Sequence, residues 1–263
     1  MSATLSVITP VHAASAEYLS ATHASLVDQE LPAGWSWEWV VQEDGQTGLL
    51  DRHLADWAAA DPRIRPSSGR AGGPGVARTL ALARSRGTLI RTLDADDVLP
   101  AGALGRDVAA LVARPAIGFV TSAALDLLAD GRLVPPAVGR RAPLRGVRGR
   151  EGEPAGPWVR GSVLDHWRRH DHRLPVHPAT LCIRRELVLA VGGWMALPAS
   201  EDTGLLLAAN AIRDGYHLAT VGLHYRKWAG QATGQPAHTE PSEQASRHAL
   251  IEQRATVLRE LFR

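Results

Sequence analysis

Four short β-rich runs, with helical stretches between them, fill the first hundred residues, and this alternation constrains the fold more than any other feature. The runs fall at 5–10 (LSVITP), 37–42 (WEWVVQ), 63–66 and 88–93 (TLIRTL), and helices are expected at 17–29, 49–60 and 75–85. Strands alternating with helices of this length make βαβ units, which assemble as a parallel sheet with helices packed on its faces. In such sheets ligands bind outside the carboxyl ends of the strands. Those ends here carry Thr9, Asp44 and the cluster Asp94, Asp96 and Asp97, so three polar groups converge on one edge.

After Pro100 the rhythm changes. A helix at 101–113 leads to a strand at 117–122 and a hairpin about Ala129-Asp130-Gly131. Residues 132–157, rich in Arg, Pro and Gly and without periodicity, read as a long loop. A helix at 161–170, a strand at 179–183 and a short helix at 185–191, stopped by Gly192-Gly193, come next. Ser200 is placed to cap a helix at 201–213 with acids in its first turn. A strand at 217–225 and an amphipathic helix at 240–263 close the chain. The expected architecture is α/β, a Rossmann-like, mostly parallel sheet flanked by helices, with a smaller second part and a C-terminal helix. Its divisions are 1–115, 116–228 with the loop 132–157, and 229–263.

Composition narrows the function classes. Hydrophobic residues make up 45% of the 263, ample for one large core, and the formal net charge of +2 gives nucleic-acid binding little support. Lys227 is the only lysine beside many arginines, a bias that high-GC coding produces by itself. A single cysteine, Cys182, lies between Leu181 and Ile183 and reads as a buried strand thiol. No run of 18 apolar residues suggests a membrane span, and the opening MSATLSVITP has no basic segment ahead of an apolar one, so the expected location is the cytoplasm. Trp35, Trp37 and Trp39 alternate with period two and are expected on one face of the second strand.

The stretch TLIRTLDADDVLP crowds Asp94, Asp96 and Asp97 into four residues where a strand leaves its sheet. A turn needs one such residue, and charges that close repel by about 1 kcal/mol per pair even in water. A hard divalent cation answers the surplus, because Mg²⁺ and Mn²⁺ prefer oxygen ligands, and Mg²⁺ is typically shared between one or two carboxylates and substrate phosphates. A lone Asp-x-Asp is ordinarily a turn cap with a solvated remainder. Its placement at a strand end, beside other polar strand ends, favours the cation.

Five segments in order resemble family 2 glycosyltransferases of the GT-A fold: LSVITPVH, VVQEDGQT, RAGGPGVARTLALARSRGTLIRTLDADDVLP, LCIRRELVLAVGGW and SEDTGLLLAA. The resemblance runs from Leu5 to Trp228 and is weakest at 132–172. It implies an inverting enzyme that uses Mn²⁺ or Mg²⁺ and a nucleoside-diphosphate sugar donor. It also implies a soluble or lipid-linked acceptor bearing a hydroxyl or amine. By the same resemblance Thr9 touches the nucleotide, Asp44 receives the base, Asp94 faces ribose or metal, Asp96 ligates the metal, and Asp202 is the general base. Arg70 and Arg78 lie where basic side chains approach the phosphates. The family's closing Tyr-Arg-x-His is here Tyr225-Arg226-Lys227-Trp228, which leaves His224 as the substitute metal ligand. Trp194 and His177 are the acceptor-contact candidates.

Two other readings fit parts of the chain. LIRTLDADDV resembles the motif of haloacid-dehalogenase-like phosphatases, which however place it on their first strand and need a later lysine followed by paired acids. A GT-A-like protein that binds nucleotide-sugar without turnover is the non-enzymatic alternative. His166, His170, His172 and His177 match no zinc spacing, and neighbouring arginines oppose a cation there. The arginine-rich segment 140–150 is a candidate for an anionic acceptor, although most such runs are solvated. Oligomeric state is left open by the sequence.

Overall fold

The computed structural model describes residues 3–136, 155–234 and 236–262. Its centre is one twisted sheet in the order β3-β2-β1-β4-β8-β5-β9-β7, with β6 paired to β5. The parallel half consists of β1 (Ala3–Val11), β2 (Trp35–Asp44), β3 (Ile64–Gly69) and β4 (Leu89–Thr92). Helices α1 (Leu19–Val27), α2 (Leu49–Ala60) and α3 (Pro74–Arg84) make its crossovers, as the alternation predicts.

The same sheet continues through the rest of the chain. Helix α4 (Ala103–Ala113) leads to β5 (Phe119–Leu127), and β6 (Leu133–Val134) returns against it across the expected turn at 128–132. β7 (Gly156–Trp158), β8 (Cys182–Arg184) and β9 (Gly215–Arg226) complete it. β8 runs antiparallel to both β4 and β5, so β5 keeps the direction of β4, and β9 runs parallel to β5. The carboxyl ends of β1, β2, β4, β5 and β9 therefore share one edge. The two halves drawn from the sequence are joined by this sheet.

Side-chain alternation along the strands splits the core in two. Leu5, Val7, Trp37, Trp39 and Val41 face α1, α2 and α4. Ile8, Val40, Ile90 and Ile183 face α3, α5 (Ser162–Arg169), α6 (Arg185–Ala190), α7 (Glu201–Ile212) and α9 (Pro241–Leu261). The three tryptophans share a face, as their period of two predicts. A short helix, α8 (Pro236–Thr239), precedes α9.

Three local expectations need correction. The expected loop 132–157 contains β6 and β7; its segment 137–154, which holds the arginine-rich 140–150, lies outside the described residues. The strand expected at 179–183 begins as a tight 3-10 turn at Pro178–Thr180, because Pro178 cannot donate to a sheet ladder. Ser200 precedes α7 but makes no side-chain cap; it sits at φ +65°, a left-handed conformation in which its hydroxyl does not reach the helix amides.

Candidate active site

The turn after β4 gives the three aspartates three different tasks. Asp97 N–H donates to the Asp94 carbonyl at 3.1 Å and closes the turn, and Thr22 Oγ1 on α1 lies 2.8 Å from the carbonyl oxygens of both Ala95 and Asp97. Asp97 itself is fully buried and accepts the Arg226 backbone N–H at 2.9 Å, which ties β9 to the turn. Burial first, then Asp94 and Asp96, push its carboxyl well above the usual range. Asp97 is thus structural, and the surplus reduces to Asp94 and Asp96 at the surface.

Asp94 is drawn towards α3. Arg78, whose side chain is 4% exposed, donates from Nη2 to Asp94 Oδ1 at 2.5 Å and from Nη1 to Glu201 Oε1. Burial would lower the Arg78 pKa, but Asp94, Glu201 and Asp202 outweigh it and hold the guanidinium charged. Gly75 makes this approach possible: a Cβ there would lie 2.5 Å from the Met195 carbonyl oxygen and 3.3 Å from Glu201 Cγ. Only a residue without a side chain lets the first turn of α3 lie this close to α7.

Asp202, in the first turn of α7, completes the group. Its Oδ1 accepts the Thr203 N–H at 2.6 Å. A helix start by itself lowers a carboxylate pKa, but the net direction here is upward. Burial contributes most, with Asp94 adding to it and Arg78 and the Thr203 N–H opposing. Glu201 is likewise raised, by burial first, with Arg78 opposing and Asp202 adding. A carboxylate so placed holds its proton more firmly than a solvated one and is a stronger base when ionised.

Asp96 faces the end of β9. Its Oδ2 accepts Trp228 Nε1–H at 2.7 Å and its carbonyl accepts Arg226 Nε–H at 2.7 Å. Burial and Asp94 raise its pKa against the Trp228 hydrogen bond. Trp228, the residue that departs from the family pattern, therefore stands directly on the predicted metal ligand. His224 does not join it: its backbone pairs with Val98, its half-buried ring has a lowered pKa, and no three His, Cys, Asp or Glu side chains form a cation cage among the described residues. Arg78 and Trp228 each engage one oxygen of their carboxylate. A cation on this pair would share Asp94 and Asp96 with those two donors and take its other ligands from substrate phosphates.

The remaining candidates separate clearly. Thr9 is fully buried and its hydroxyl accepts Trp39 Nε1–H at 2.8 Å, so its side chain cannot reach a nucleotide. Trp194 lies in the core between α3, α7 and α9 at 5% exposure and offers no sugar platform. Both side chains face the core, because the sequence places a residue near an edge but not on a face. Asp44 lies at the edge, where its carboxylate accepts the Gly72 N–H at 2.6 Å and the Gly73 N–H at 3.0 Å and fixes the loop entering α3. Arg70 is exposed on that loop. Arg78 is committed to the internal bridge rather than to phosphates. His177 caps the 3-10 turn: its Nδ1 accepts the Ala179 N–H at 3.3 Å, and its ring lies 4.4 Å from that of Tyr225. Burial pushes its pKa down to about 4, against Asp94, so it is neutral at ordinary pH.

The sequence gives no task to Arg226 or Tyr18. The Arg226 guanidinium lies 4.8 Å over the Tyr18 ring, and Tyr18 packs 5.2 Å from Trp228. The signal was present in Tyr225-Arg226-Lys227-Trp228, but Tyr18 is remote in sequence and carries none. Below the site, buried Arg91 donates to the carbonyls of Ala179 at 2.6 Å and Gly222 at 2.9 Å and pairs with Asp107 at 3.2 Å. It fixes the His177 turn and β9 against β4. Burial pushes Asp107 up to about 6 even so.

Residues 6–133 match the family described as Glycosyl transferase family 2. No curated protein sequence gives a significant match to the chain. Among solved structures, S. aureus TarS (residues 1–349) in complex with UDP-GlcNAc superposes with a TM-score of 0.65 at 18% identity, over 100% of this chain and 71% of that one. The same TarS fragment with UDP gives 0.64 at 18%, over 96% of this chain and 65% of that one. The mannosyltransferase PcManGT of Pyrobaculum calidifontis, in complex with GDP-Man and Mn²⁺, gives 0.61 at 16%, over 96% and 63%. The chain thus spans roughly two thirds of their length and shares the GT-A architecture. Nothing supports the phosphatase reading: DADDV follows the fourth strand, and Lys227 pairs with Asp126 at 3.8 Å with no paired acids after it.

Proposed function

We propose that this chain, family 2 glycosyl transferase sequence over residues 6–133 on a GT-A fold, moves a sugar from a nucleoside-diphosphate donor to a hydroxyl or amine acceptor with inversion. One observation carries the reading. Arg78 draws Asp94, at the end of β4, and Glu201, beside Asp202, to a single buried guanidinium, so a phosphate-side acid and a base candidate share one edge of the sheet.

In this reaction Asp202 accepts the proton of the acceptor as its oxygen or nitrogen bonds to the anomeric carbon. The bond from that carbon to the donor phosphate oxygen breaks on the opposite side, and the nucleoside diphosphate leaves. Arg78 bridges Asp94 to Glu201, the neighbour of Asp202, and its charge lowers the proton affinity of the base. Asp44 fixes the loop entering α3, which borders the nucleotide, and the exposed Arg70 is free to approach the phosphates. His177 and Tyr225 border the acceptor side, where His177 is a neutral hydrogen-bonding group. Asp94 and Asp96 would hold Mn²⁺ or Mg²⁺, which supplies charge neutralisation for the departing diphosphate. The donor base, sugar and acceptor are to be found by experiment.

Titration calorimetry with UDP, GDP, dTDP and CDP, each with and without Mn²⁺, tests this first. Binding of one nucleotide that requires both Mn²⁺ and Asp96 supports the reading. Absence of metal-dependent binding by all four overturns it. Retained binding with no transfer in either wild type or Asp202→Asn would favour the non-catalytic alternative.

A further inference from the structure

Trp228 offers Asp96 a hydrogen-bond donor where a cation needs a ligand. Its Nε1–H reaches Oδ2 at 2.7 Å, and an indole nitrogen can donate but cannot coordinate. The contact is built into the surroundings. Tyr18 packs against the indole at 5.2 Å, Arg226 Nε holds the Asp96 carbonyl at 2.7 Å, and the Gln231 backbone N–H donates to the Trp228 carbonyl. The chain also folds flat onto the ring: a Cβ at Gly230 would lie 2.1 Å from indole Cζ3. The indole is thus clamped from two sides with its one polar atom aimed at Asp96.

We propose that Trp228 is a positioning residue that sets the cation affinity of this site: its N–H and a divalent cation compete for Asp96 Oδ2. A carboxylate oxygen accepting a short charged hydrogen bond has less electron density to offer a cation, so a cation drawing on Oδ2 would have to weaken or displace the indole contact. The site consequently takes its cation more weakly than two free carboxylates would, and loading is coupled to movement of the 228–231 segment. The proposal rests on the glycosyltransferase reading for the identity of the phosphates, but the competition is measurable without donor or acceptor.

Two measurements test it. In ¹⁵N-labelled protein the Trp228 indole N–H resonance, assigned by its proximity to the Tyr18 ring and its loss in Trp228→Phe, is followed during Mg²⁺ titration. It is expected to move upfield as the hydrogen bond to Asp96 is lost. Mn²⁺ affinity is then measured by electron paramagnetic resonance of the free ion in wild type, Trp228→Phe and Asp96→Asn. Hydrogen bonds to charged groups are among the stronger ones, so Trp228→Phe is expected to bind Mn²⁺ about 10-fold more tightly and Asp96→Asn to lose the site. A resonance unmoved at saturating Mg²⁺ overturns the competition, as does Trp228→Phe affinity equal to or below wild type. If Trp228→Phe does not fold, the Mg²⁺ titration of wild type decides alone. Failure of every nucleoside diphosphate to bind at saturating Mn²⁺ overturns the proposed function instead, and leaves the Mn²⁺ comparison standing.

Discussion

Replacing Arg78 by methionine removes the buried cation that three carboxylates share, and its cost can be worked from the exposures. The Arg78 and Glu201 side chains are 4% and 6% exposed, so Glu201 is left buried without its partner; Asp94, at 29%, is partly rehydrated. Breaking a buried pair from one side costs about 3–5 kcal/mol, and the solvated Asp94 contact adds little, so the expected loss is about 3 kcal/mol at neutral pH. At about 2–4 °C per kcal/mol for a domain of this size, the melting temperature should fall by roughly 6–12 °C. The sign of the pH dependence follows. Without Arg78 the folded-state pKa values of Glu201 and Asp202 rise further above their unfolded values, so the folded protein binds protons more tightly. The deficit is then greatest above those raised values and shrinks as pH falls through them towards the ordinary carboxylate range. Arg78→Met combined with Glu201→Gln removes the orphaned charge and should recover more than half of the loss. Urea unfolding of wild type, Arg78→Met, Glu201→Gln and the double variant at pH 7.5 and 5.0 measures this. An Arg78→Met protein within about 0.5 kcal/mol of wild type, or a double variant that recovers nothing, would refute the buried-bridge account.

Three further outcomes are expected. Asp202→Asn should keep nucleotide binding in calorimetry and lose about 10²–10⁴-fold in transfer rate; in wild type the acid limb of kcat/KM should lie above the ordinary aspartate range, because the base works deprotonated and burial raises its pKa. Thr9→Val leaves Trp39 Nε1–H without its acceptor and should cost about 1–3 kcal/mol in urea unfolding, with nucleotide affinity unchanged. Ser200→Gly relieves a left-handed serine that makes no cap and should raise stability by up to about 1 kcal/mol in the same assay.

Much of the scaffold could be read from residue order. The β-rich runs of β1, β2 and β4, the helical stretches between them and the acids at their ends determine a parallel α/β half and the edge on which its ligand must bind. Local pattern also carried the hairpin at 128–132 and α7 with its acidic first turn, because those signals lie within a few residues of one another. The candidate site was legible as a list of acids: Asp94, Asp96 and Asp202 appear at the edge where they were expected.

Tertiary structure decided how those acids are partnered. That Asp97 turns inward to hold β9 while Asp94 and Asp96 stay part-exposed depends on the turn geometry after β4, which three aspartates within four residues cannot encode. Thr9 and Trp194 lie near the right elements in sequence yet point into the core, since facing is fixed by packing against Trp39 and α9. The raised Asp202 pKa has a similar origin: a helix start is visible locally, whereas burial and the charge of Asp94, at the end of β4, are not. Arg78 is a basic residue among others until α3 meets α7 across the Gly75 contact. Residue order determined which chemical groups reach this edge; the contacts of Arg78 with Asp94 and Glu201, and of Asp96 with Trp228, came only from folding, because those partners lie far apart along the chain and the sheet brings them together.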